Sequence, residues 1–270
     1  MHNATKEFDY EYLRVLRDVL VYGKDSGDRT KTGRRRLFSQ HMKFDITEEF
    51  PLLTTKHVNA KAVINEFVWM VILGSTDVGW LNEQGHTFWD EWKLEDGTIG
   101  KGYGKQFRDC KGVDQVKSVI KSLKEDPNGT RHVISLWQPD EIKHMALPPC
   151  HGVLIEFFVE DGKYLNCHMT QRSGDMFLGV PFNIAFYSLF TKVLARFVGL
   201  QAREISILIV DAHIYLNHID QVKEQLTRKP KPYPRLMING ALHNMFDFRY
   251  DDVFIIGYDP HPAIKAPISV

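Results

Sequence analysis

One segment in the last third of the chain is apolar on nearly every side of a helix, and it constrains the fold more than any other feature. The run PFNIAFYSLFTKVLARFVGL at 181–200 begins with proline, which suits the first turn of a helix, and reaches Gly199, a common helix stop. Such a helix needs apolar partners on all of its faces. The sequence therefore predicts a central core helix that other elements surround.

The remaining elements follow from periodicity and turn signals. Three stretches have apolar residues at helical spacing: 8–22, 58–73 and 114–124. Strand-like runs lie at 132–137, 205–210 and 253–258, and we expect the last two to be buried. The runs 153–159 and 164–170 flank Asp161-Gly162, which predicts an antiparallel hairpin. These elements predict one mixed α+β domain over residues 1–270.

Two further segments are predicted to lack regular structure. The polar, basic stretch 24–36 follows Gly23 and is interpreted as a loop. The tail 261–270 is rich in proline, which excludes a helix or a central strand, so we expect it to lie over the surface.

The charge balance excludes a global positive field of the kind that steers proteins onto nucleic acid or an anionic membrane. Lysine plus arginine equals aspartate plus glutamate at 34 each. No apolar run reaches the ~18 residues needed to span a bilayer, and the start of the chain has no apolar leader core. A cytoplasmic location is therefore expected, and any anion site must be local.

Cys150 is the candidate nucleophile among three cysteines that show no CxxC spacing. It follows two prolines and precedes His151, upstream of a strand, which gives a rigid mount for a thiol. A thiolate needs a cationic or donor-rich neighbourhood, and Arg172 or His151 could provide it. The alternative is a small buried apolar side chain, which is the interpretation preferred for Cys110 and Cys167.

The stretch 170–183 concentrates polar residues between a strand and the start of the core helix. Arg172 and Ser173 together offer the forked guanidinium and hydroxyl donors that bind phosphate. Asn183 presents one acceptor and two donors, as needed to read the edge of a base. A surface turn that caps the following helix remains the alternative at this point.

Three other places carry candidate residues. Arg29 lies in a glycine-punctuated loop that could close over an anion, or it could belong to a solvated basic face. His213 and Tyr215 share one face if 211–218 is extended, and no ligand spacing there indicates a metal. Glu66 stands in an apolar helix, where a carboxylate requires a special reason.

Taken together, these motifs resemble the thymidylate synthase family over essentially the whole chain. They are, in that family's order, DRTKTG, WDEW, YGKQF, LPPCHG, QRSGDMFLGVPFN, DAHIYLNH and YDPHPAIKAP. The resemblance implies an α+β fold with a mixed sheet packed against helices and a homodimer formed through the sheet. It implies no metal, and it implies deoxyuridylate and 5,10-methylenetetrahydrofolate as the reactants.

The resemblance also implies a role for each matching residue. The catalytic set is Cys150 as nucleophile, Glu66 and Tyr103 for proton transfer through water, Asn183 for the uracil edge and Asp175 for the folate. Arg29, Arg172, Ser173 and Arg131 of the partner subunit would bind the phosphate, and His213 with Tyr215 the deoxyribose. The folate-binding set is Trp89, Asp175, Leu178, Gly179, Phe182 and Val270.

Two departures from the family pattern leave alternatives open. Thr130 precedes Arg131 where the family usually has two arginines, and Phe186 stands where PFNIAS is common, one turn after Asn183. A deoxyuridylate hydroxymethylase, in which water replaces hydride in the last step, is therefore the second interpretation. Two alternatives from other functional classes are a cysteine hydrolase and a catalytically silent nucleotide-binding protein.

Overall fold

The computed structural model describes residues 4–28 and 31–268, and a six-stranded mixed sheet is its largest element. The strands are β1 (Lys24–Ser26), β2 (Arg34–Asp45), β3 (Val133–Ile134), β4 (Leu154–Glu160), β5 (Tyr164–Asp175) and β6 (Gln201–Tyr215). They lie in the order β1-β2-β6-β5-β4-β3, with β5 and β6 parallel and all other neighbours antiparallel. The α+β fold with a mixed sheet is thus confirmed.

Helices cover the sheet, and a small ribbon lies beside it. The helices are α1 (Phe8–Tyr22), α2 (Ala60–Phe67), α3 (Val78–Glu83), α4 (Tyr103–Arg108), α5 (Gln115–Glu125), α6 (Gly179–Val198) and α7 (Ile219–Thr227). A π-helical segment, Val68–Ile72, continues α2. The ribbon pairs β7 (Arg235–Ile238) with β8 (Val253–Ile256). Single 3-10 turns lie at Asp90–Trp92, Ile142–His144, Leu216–His218, Met245–Asp247 and Tyr250–Asp252. No helix in the described residues is long and apolar enough to cross a membrane.

The predicted central helix is confirmed as α6. It packs against β5, β6, α2 and α5, and most of its side chains are buried. The ring of Phe190 lies 5.5–6.0 Å from the rings of Phe67, Phe107 and Phe157, so one residue joins three other elements. Gly199 ends the helix at φ +77, a conformation that favours glycine.

The parallel pairing of β5 with β6 determines where polar groups meet. The carboxyl ends of parallel strands lie at one edge of a sheet, and the register pairs Ser173 with Asp211 and Asp175 with His213. Helix α6 is the crossover between these strands and starts at Gly179, so its N-terminus lies at the same edge. The Tyr12 hydroxyl from α1 donates to the carbonyl of Met176 and holds the intervening turn.

Several sequence predictions are confirmed. Helix 8–22 is present with these bounds, and the 114–124 helix is α5, for which the Asp114 side chain accepts from the Lys117 amide. The hairpin joins β4 and β5, with Asp161 and Gly162 both at positive φ, as the Asp-Gly signal requires. Residues 261–268 form no helix or strand and are mostly exposed.

Four predictions need correction. The stretch 24–36 is not all loop, because backbone pairing with β6 draws Arg34 and its neighbours into β2. The strand expected at 132–137 is only two residues long, because the amide of Leu136 turns away to the carbonyl of Gly152. The predicted 58–73 helix begins at Ala60 and becomes π-helical at Val68.

The fourth correction concerns 253–258, which was expected to be a buried strand. Phe254 and Ile256 are 55% and 53% exposed, since β8 pairs with β7 only and has one covered face.

Candidate active site

Cys150 is held by its backbone on both sides. Its amide donates to the Tyr103 hydroxyl at 2.8 Å, and its carbonyl accepts from the Ser173 amide at 3.2 Å. Pro148 and Pro149 restrict the preceding backbone. The thiol is half-buried, so a small molecule can reach a sulfur atom that the chain cannot easily move.

Arg172 supplies the positive charge next to the thiol. Its Nη2 lies 3.7 Å from the Cys150 Sγ, while its Nε and Nη2 donate to the carbonyls of Pro149 and Pro148 at 3.2 and 3.4 Å. The guanidinium also lies over the Trp137 ring. Arg172 thus places a fixed positive charge beside the thiol, which is the kind of neighbour that a nucleophilic thiolate needs.

His151, the other predicted source of positive charge, does not provide it. Burial lowers the pKa of His151 to about 3, so the ring is neutral at physiological pH. Its Nδ1 is 2.8 Å from the Tyr187 hydroxyl, and its ring packs on Tyr103 and Phe186 at 4.7 and 6.0 Å. Phe186, the departure from the family pattern, is thus fully buried behind His151.

Glu66 has the perturbed environment that the sequence predicted. Burial raises the pKa of Glu66 to about 7, and the hydrogen bond from Trp89 Nε1, 2.8 Å long, opposes part of that rise. The Trp89 ring in turn packs edge-on against Tyr103, with centroids 5.6 Å apart. Burial also raises the pKa of Tyr103 well above its usual value, so this phenol stays protonated. A carboxyl that titrates near neutrality therefore lies beside a neutral phenol.

Asn183 is oriented by a residue for which the sequence assigned no role. Gln171 Nε2 donates to Asn183 Oδ1 at 3.0 Å and to the carbonyl of Ser173 at 3.1 Å. Because its oxygen is engaged, Asn183 is left with its Nδ2 donors for a ligand. Gln171 Oε1 is buried and has no hydrogen-bond partner within the described part of the chain. Its position in the polar stretch 170–183 was the available signal.

The ends of β5 and β6 bring the next predicted residues together. The rings of His213 and Tyr215 are 5.2 Å apart and nearly perpendicular. His213 Nδ1 contacts the Asp211 carbonyl at 3.2 Å, and Arg36 binds the Asp211 carboxylate with two hydrogen bonds of 2.9 Å. Asp175 accepts from the amides of residues 177 and 178, which shapes the turn into α6. The strand conformation thus confirms that His213 and Tyr215 share a face.

Three of the residues predicted to contact the folate lie at the start of α6. Leu178 and Gly179 lie at its first turn, and the half-buried ring of Phe182 faces Phe88 at 6.4 Å. Asp175 lies at one end of this apolar wall. Partly exposed apolar side chains beside a carboxylate fit a flat heteroaromatic ring that carries N–H donors.

The last three predicted residues are Arg29, Val270 and Arg131. Arg29 and Val270 lie outside the described residues. Arg131 is exposed and lies immediately before β3, at the edge of the sheet. Within residues 4–28 and 31–268, no group of three histidine, cysteine or acidic side chains could hold a metal ion.

Lys56 is a site-adjacent residue that the sequence analysis missed. Its Nζ donates to the carbonyl of Phe177 and lies 3.7 Å from the centroid of that ring, directly before the start of α6. Burial lowers the pKa of Lys56 to about 8, against the opposing effect of Asp175. The signal was a lysine directly after the apolar and hydroxyl-bearing run 50–55.

The fold and the cluster define an α+β protein in which a thiol, a guanidinium, a buried carboxyl and an amide converge on one edge of a mixed sheet. Residues 10–270 match the family model described as thymidylate synthase, and the chain belongs to this family. The family implies a methyltransferase-type enzyme with small-molecule substrates and a folate co-substrate.

Proposed function

We propose that the chain, as one catalytic domain of residues 1–270, methylates deoxyuridylate at C5 and yields thymidylate and dihydrofolate. The observation that carries the proposal is the Cys150 thiol, fixed through its backbone and 3.7 Å from the Arg172 guanidinium. An unreactive vinylic C5 becomes a carbon nucleophile only after a nucleophile adds at C6. A rigid thiolate next to a phosphate-binding arginine suits that addition.

Substrate binding uses complementary charge and hydrogen bonds. Arg172 and Ser173, together with Arg29 and with Arg131 of the partner subunit, bind the phosphate, because guanidinium groups fork onto phosphate oxygens. His213 and Tyr215 bind the deoxyribose hydroxyl. This arrangement aligns the ring so that C6 meets the thiolate.

Asn183 selects the base. With its oxygen held by Gln171, the Asn183 amide group donates to a carbonyl oxygen at C4 of the ring, which uracil has and cytosine lacks. A role in catalysis follows, because the same donor stabilises the negative charge that develops on that oxygen after thiolate addition.

Glu66 and Tyr103 handle protons. A carboxyl with a pKa of about 7 can give up or accept a proton at neutral pH, whereas an ordinary carboxyl would be almost fully ionised. Tyr103 keeps its own proton, so it orients the water that takes the C5 proton and does not accept the proton itself; its hydroxyl accepts a hydrogen bond from the Cys150 amide.

The co-substrate 5,10-methylenetetrahydrofolate supplies both the one-carbon unit and the hydride. Trp89, Asp175, Leu178, Gly179, Phe182 and Val270 form its proposed binding surface. The apolar walls of this surface exclude water from the site, which favours hydride over water in the last step.

A homodimer formed through the sheet completes the proposal. Phe158 on β4 and Val210 on β6 are 62% and 37% exposed, while their strand neighbours Phe157 and Ile209 face the core. Apolar side chains on the outer face of a sheet favour burial against a second copy. Arg131 would then reach the phosphate of the other subunit.

A cysteine hydrolase is disfavoured by the state of His151. A thiolate-imidazolium pair needs a histidine that can carry a proton, and burial holds the pKa of His151 at about 3.

The test is to mix the purified protein with deoxyuridylate and methylenetetrahydrofolate, and to follow dihydrofolate absorbance and product mass. Thymidylate with dihydrofolate is the expected result. Hydroxymethyl-deoxyuridylate without an absorbance change would replace the proposal with the hydroxymethylase. No product, and no covalent adduct with 5-fluorodeoxyuridylate and folate, would indicate a silent nucleotide-binding protein.

A further inference from the structure

A second cleft lies at the far end of α6 from the thiol. It has a volume of about 320 Å³ and lies between the last turns of α6, the start of β6 and the ribbon strand β7. Its lining includes Lys192, Arg196, Gln201 and Leu236. Lys192 is nine positions after Asn183, roughly 13 Å along the helix axis at the usual helical rise. The cleft is therefore separate from the candidate active site.

Lys192 is a half-buried amine that opens into this cleft. It sits between the buried residues Thr191 and Val193, and its Nζ makes no hydrogen bond or ion pair within the parts of the chain described, 4–28 and 31–268. The carboxylate of Asp45 on β2 acts on the Lys192 amine through its negative charge. The Oδ1 atom of Asp45 accepts hydrogen bonds from the amide and hydroxyl of Thr47 at 2.9 and 2.6 Å.

Burial increases the fraction of the Lys192 amine that is uncharged near neutral pH. It lowers the pKa of Lys192 to about 8, even though Asp45 acts in the opposite direction. An uncharged lysine amine is a nucleophile, and a partly desolvated lysine is the common source of one in proteins.

Arg196 adds an anion-binding group to the same wall. It is four residues after Lys192 and so lies on the same face of α6. It is exposed, and its Nη2 donates to the carbonyl of Gly240 at 2.8 Å, which leaves other guanidinium N–H groups for a ligand. An amine beside a guanidinium matches an electrophile that carries a phosphate.

We propose that Lys192 is a modification site that takes an acyl group from small acyl phosphates, with Arg196 binding the phosphate. The neutral amine attacks the acyl carbonyl carbon and forms a C–N bond. The bond from that carbon to the phosphate oxygen breaks, and inorganic phosphate leaves with the electron pair. The nitrogen then loses one proton to solvent. The amide product carries no charge, so the cost of burying an ammonium disappears.

The test treats the whole protein with acetyl phosphate at pH 8 and measures acetylation at each lysine by peptide mass spectrometry. Lys121 on α5, with a side chain 72% exposed, is the internal comparison. We expect Lys192 to react about tenfold faster, because the larger free-amine fraction outweighs its lower intrinsic nucleophilicity and partial burial. A rate at or below that of Lys121 would overturn the proposal.

A matched variant tests the role of Arg196 separately from folding. Arg196→Gln should slow acetylation of Lys192 by acetyl phosphate about fivefold, because the phosphate loses its charged partner. The same variant should react at the wild-type rate with N-hydroxysuccinimidyl acetate, a neutral acyl donor. An equal loss with both reagents, or no loss with acetyl phosphate, would contradict phosphate binding at Arg196. Neither readout depends on the proposed methylation of deoxyuridylate.

Discussion

Burial acts in opposite directions on the pKa values of two ionisable side chains near the thiol. It raises the pKa of Glu66 to about 7 and lowers that of His151 to about 3, because a low-dielectric environment disfavours the charged form of each group. His151 is therefore a neutral packing and hydrogen-bonding residue, whereas Glu66 can exchange a proton at physiological pH. Burial alone therefore makes Glu66 a candidate for proton transfer and keeps His151 neutral.

The raised pKa of Glu66 predicts a specific pH dependence of stability. Between about pH 4.5 and 7 the native state holds a proton that the unfolded state releases, so stability falls as pH rises through this window. Glu66→Gln keeps the acceptor for Trp89 but removes this loss. We expect its free energy of unfolding, relative to wild type, to rise by about 2 to 3 kcal/mol between pH 5 and 8. Urea unfolding at both values measures this, and the exposed Glu83→Gln serves as control.

Replacing the thiol tests the nucleophile directly. Cys150→Ala should lower turnover by about 10⁴-fold or more, because no other group can add at C6, while the dissociation constant for deoxyuridylate stays within about threefold. Steady-state kinetics and calorimetric titration provide the two readings. Cys110→Ala, at a buried cysteine away from Arg172, should keep nearly full activity. Substantial turnover by Cys150→Ala would refute covalent catalysis.

The hydrogen bond from Gln171 gives a test of the proposed base selection by Asn183. In Asn183→Asp the acceptor for Gln171 remains, but the free donor becomes a carboxylate oxygen that repels a carbonyl and accepts from an amino group. The ratio of kcat/KM for deoxyuridylate to that for deoxycytidylate should fall about 100-fold. Asn183→Ala, which removes both groups, should weaken both reactions without reversing the preference. An unchanged ratio in Asn183→Asp would show that Asn183 does not select the base.

At the scale of elements, local sequence patterns predicted the helices and turns whose conformation depends on neighbouring residues in the chain. Helix α6 was predictable because its apolar residues leave no polar face, and the hairpin because Asp161-Gly162 adopts positive φ. Strand β2 was missed because its arginines carry no strand signal, and its conformation comes from pairing with β6. The Trp89 to Glu66 hydrogen bond joins residues 23 apart, across the π-helical segment, α3 and the turns between them, and no periodicity in the sequence encodes such a contact. The resemblance of the motifs to a known family supplied the candidate site residues. Contacts such as the hydrogen bond from Trp89 to Glu66 become visible only in the three-dimensional structure.

The burial of α6 predicts a large cost for emptying its centre. Phe190→Ala should lower the free energy of unfolding by about 3 to 5 kcal/mol, because its ring contacts three other aromatic residues and the cavity cannot collapse. Val21→Ala on α1, where the side chain is 61% exposed, should change it by less than about 0.5 kcal/mol. Urea denaturation of both variants makes the comparison, and equal effects would contradict a central position for α6.

At the scale of the whole molecule, one chain brings together the Cys150 thiol, the Asn183 amide and the His213–Tyr215 pair, whereas Arg131 lies at the edge of the sheet. It is exposed and lies immediately before the edge strand β3. The outer face of the same sheet carries Phe158, exposed to 62%. A second copy packed on that face would bury the apolar side chains and bring a new cation to the phosphate. These features make self-association part of the proposed chemistry.

Mixing two inactive variants tests this shared site. Cys150→Ala lacks the nucleophile and Arg131→Ala lacks the arginine given to the partner, so each homodimer should be impaired. After reversible unfolding of a mixture, half of the dimers are mixed, and one of their two sites has both wild-type groups. Activity should recover to about a quarter of the wild-type value. The control pairs Cys150→Ala with Arg172→Ala. Both residues belong to one chain's own site, so each site of a mixed dimer still lacks one of the two groups and no activity should return. If the Arg131 mixture also stays inactive although native mass spectrometry detects mixed dimers, Arg131 acts within its own chain.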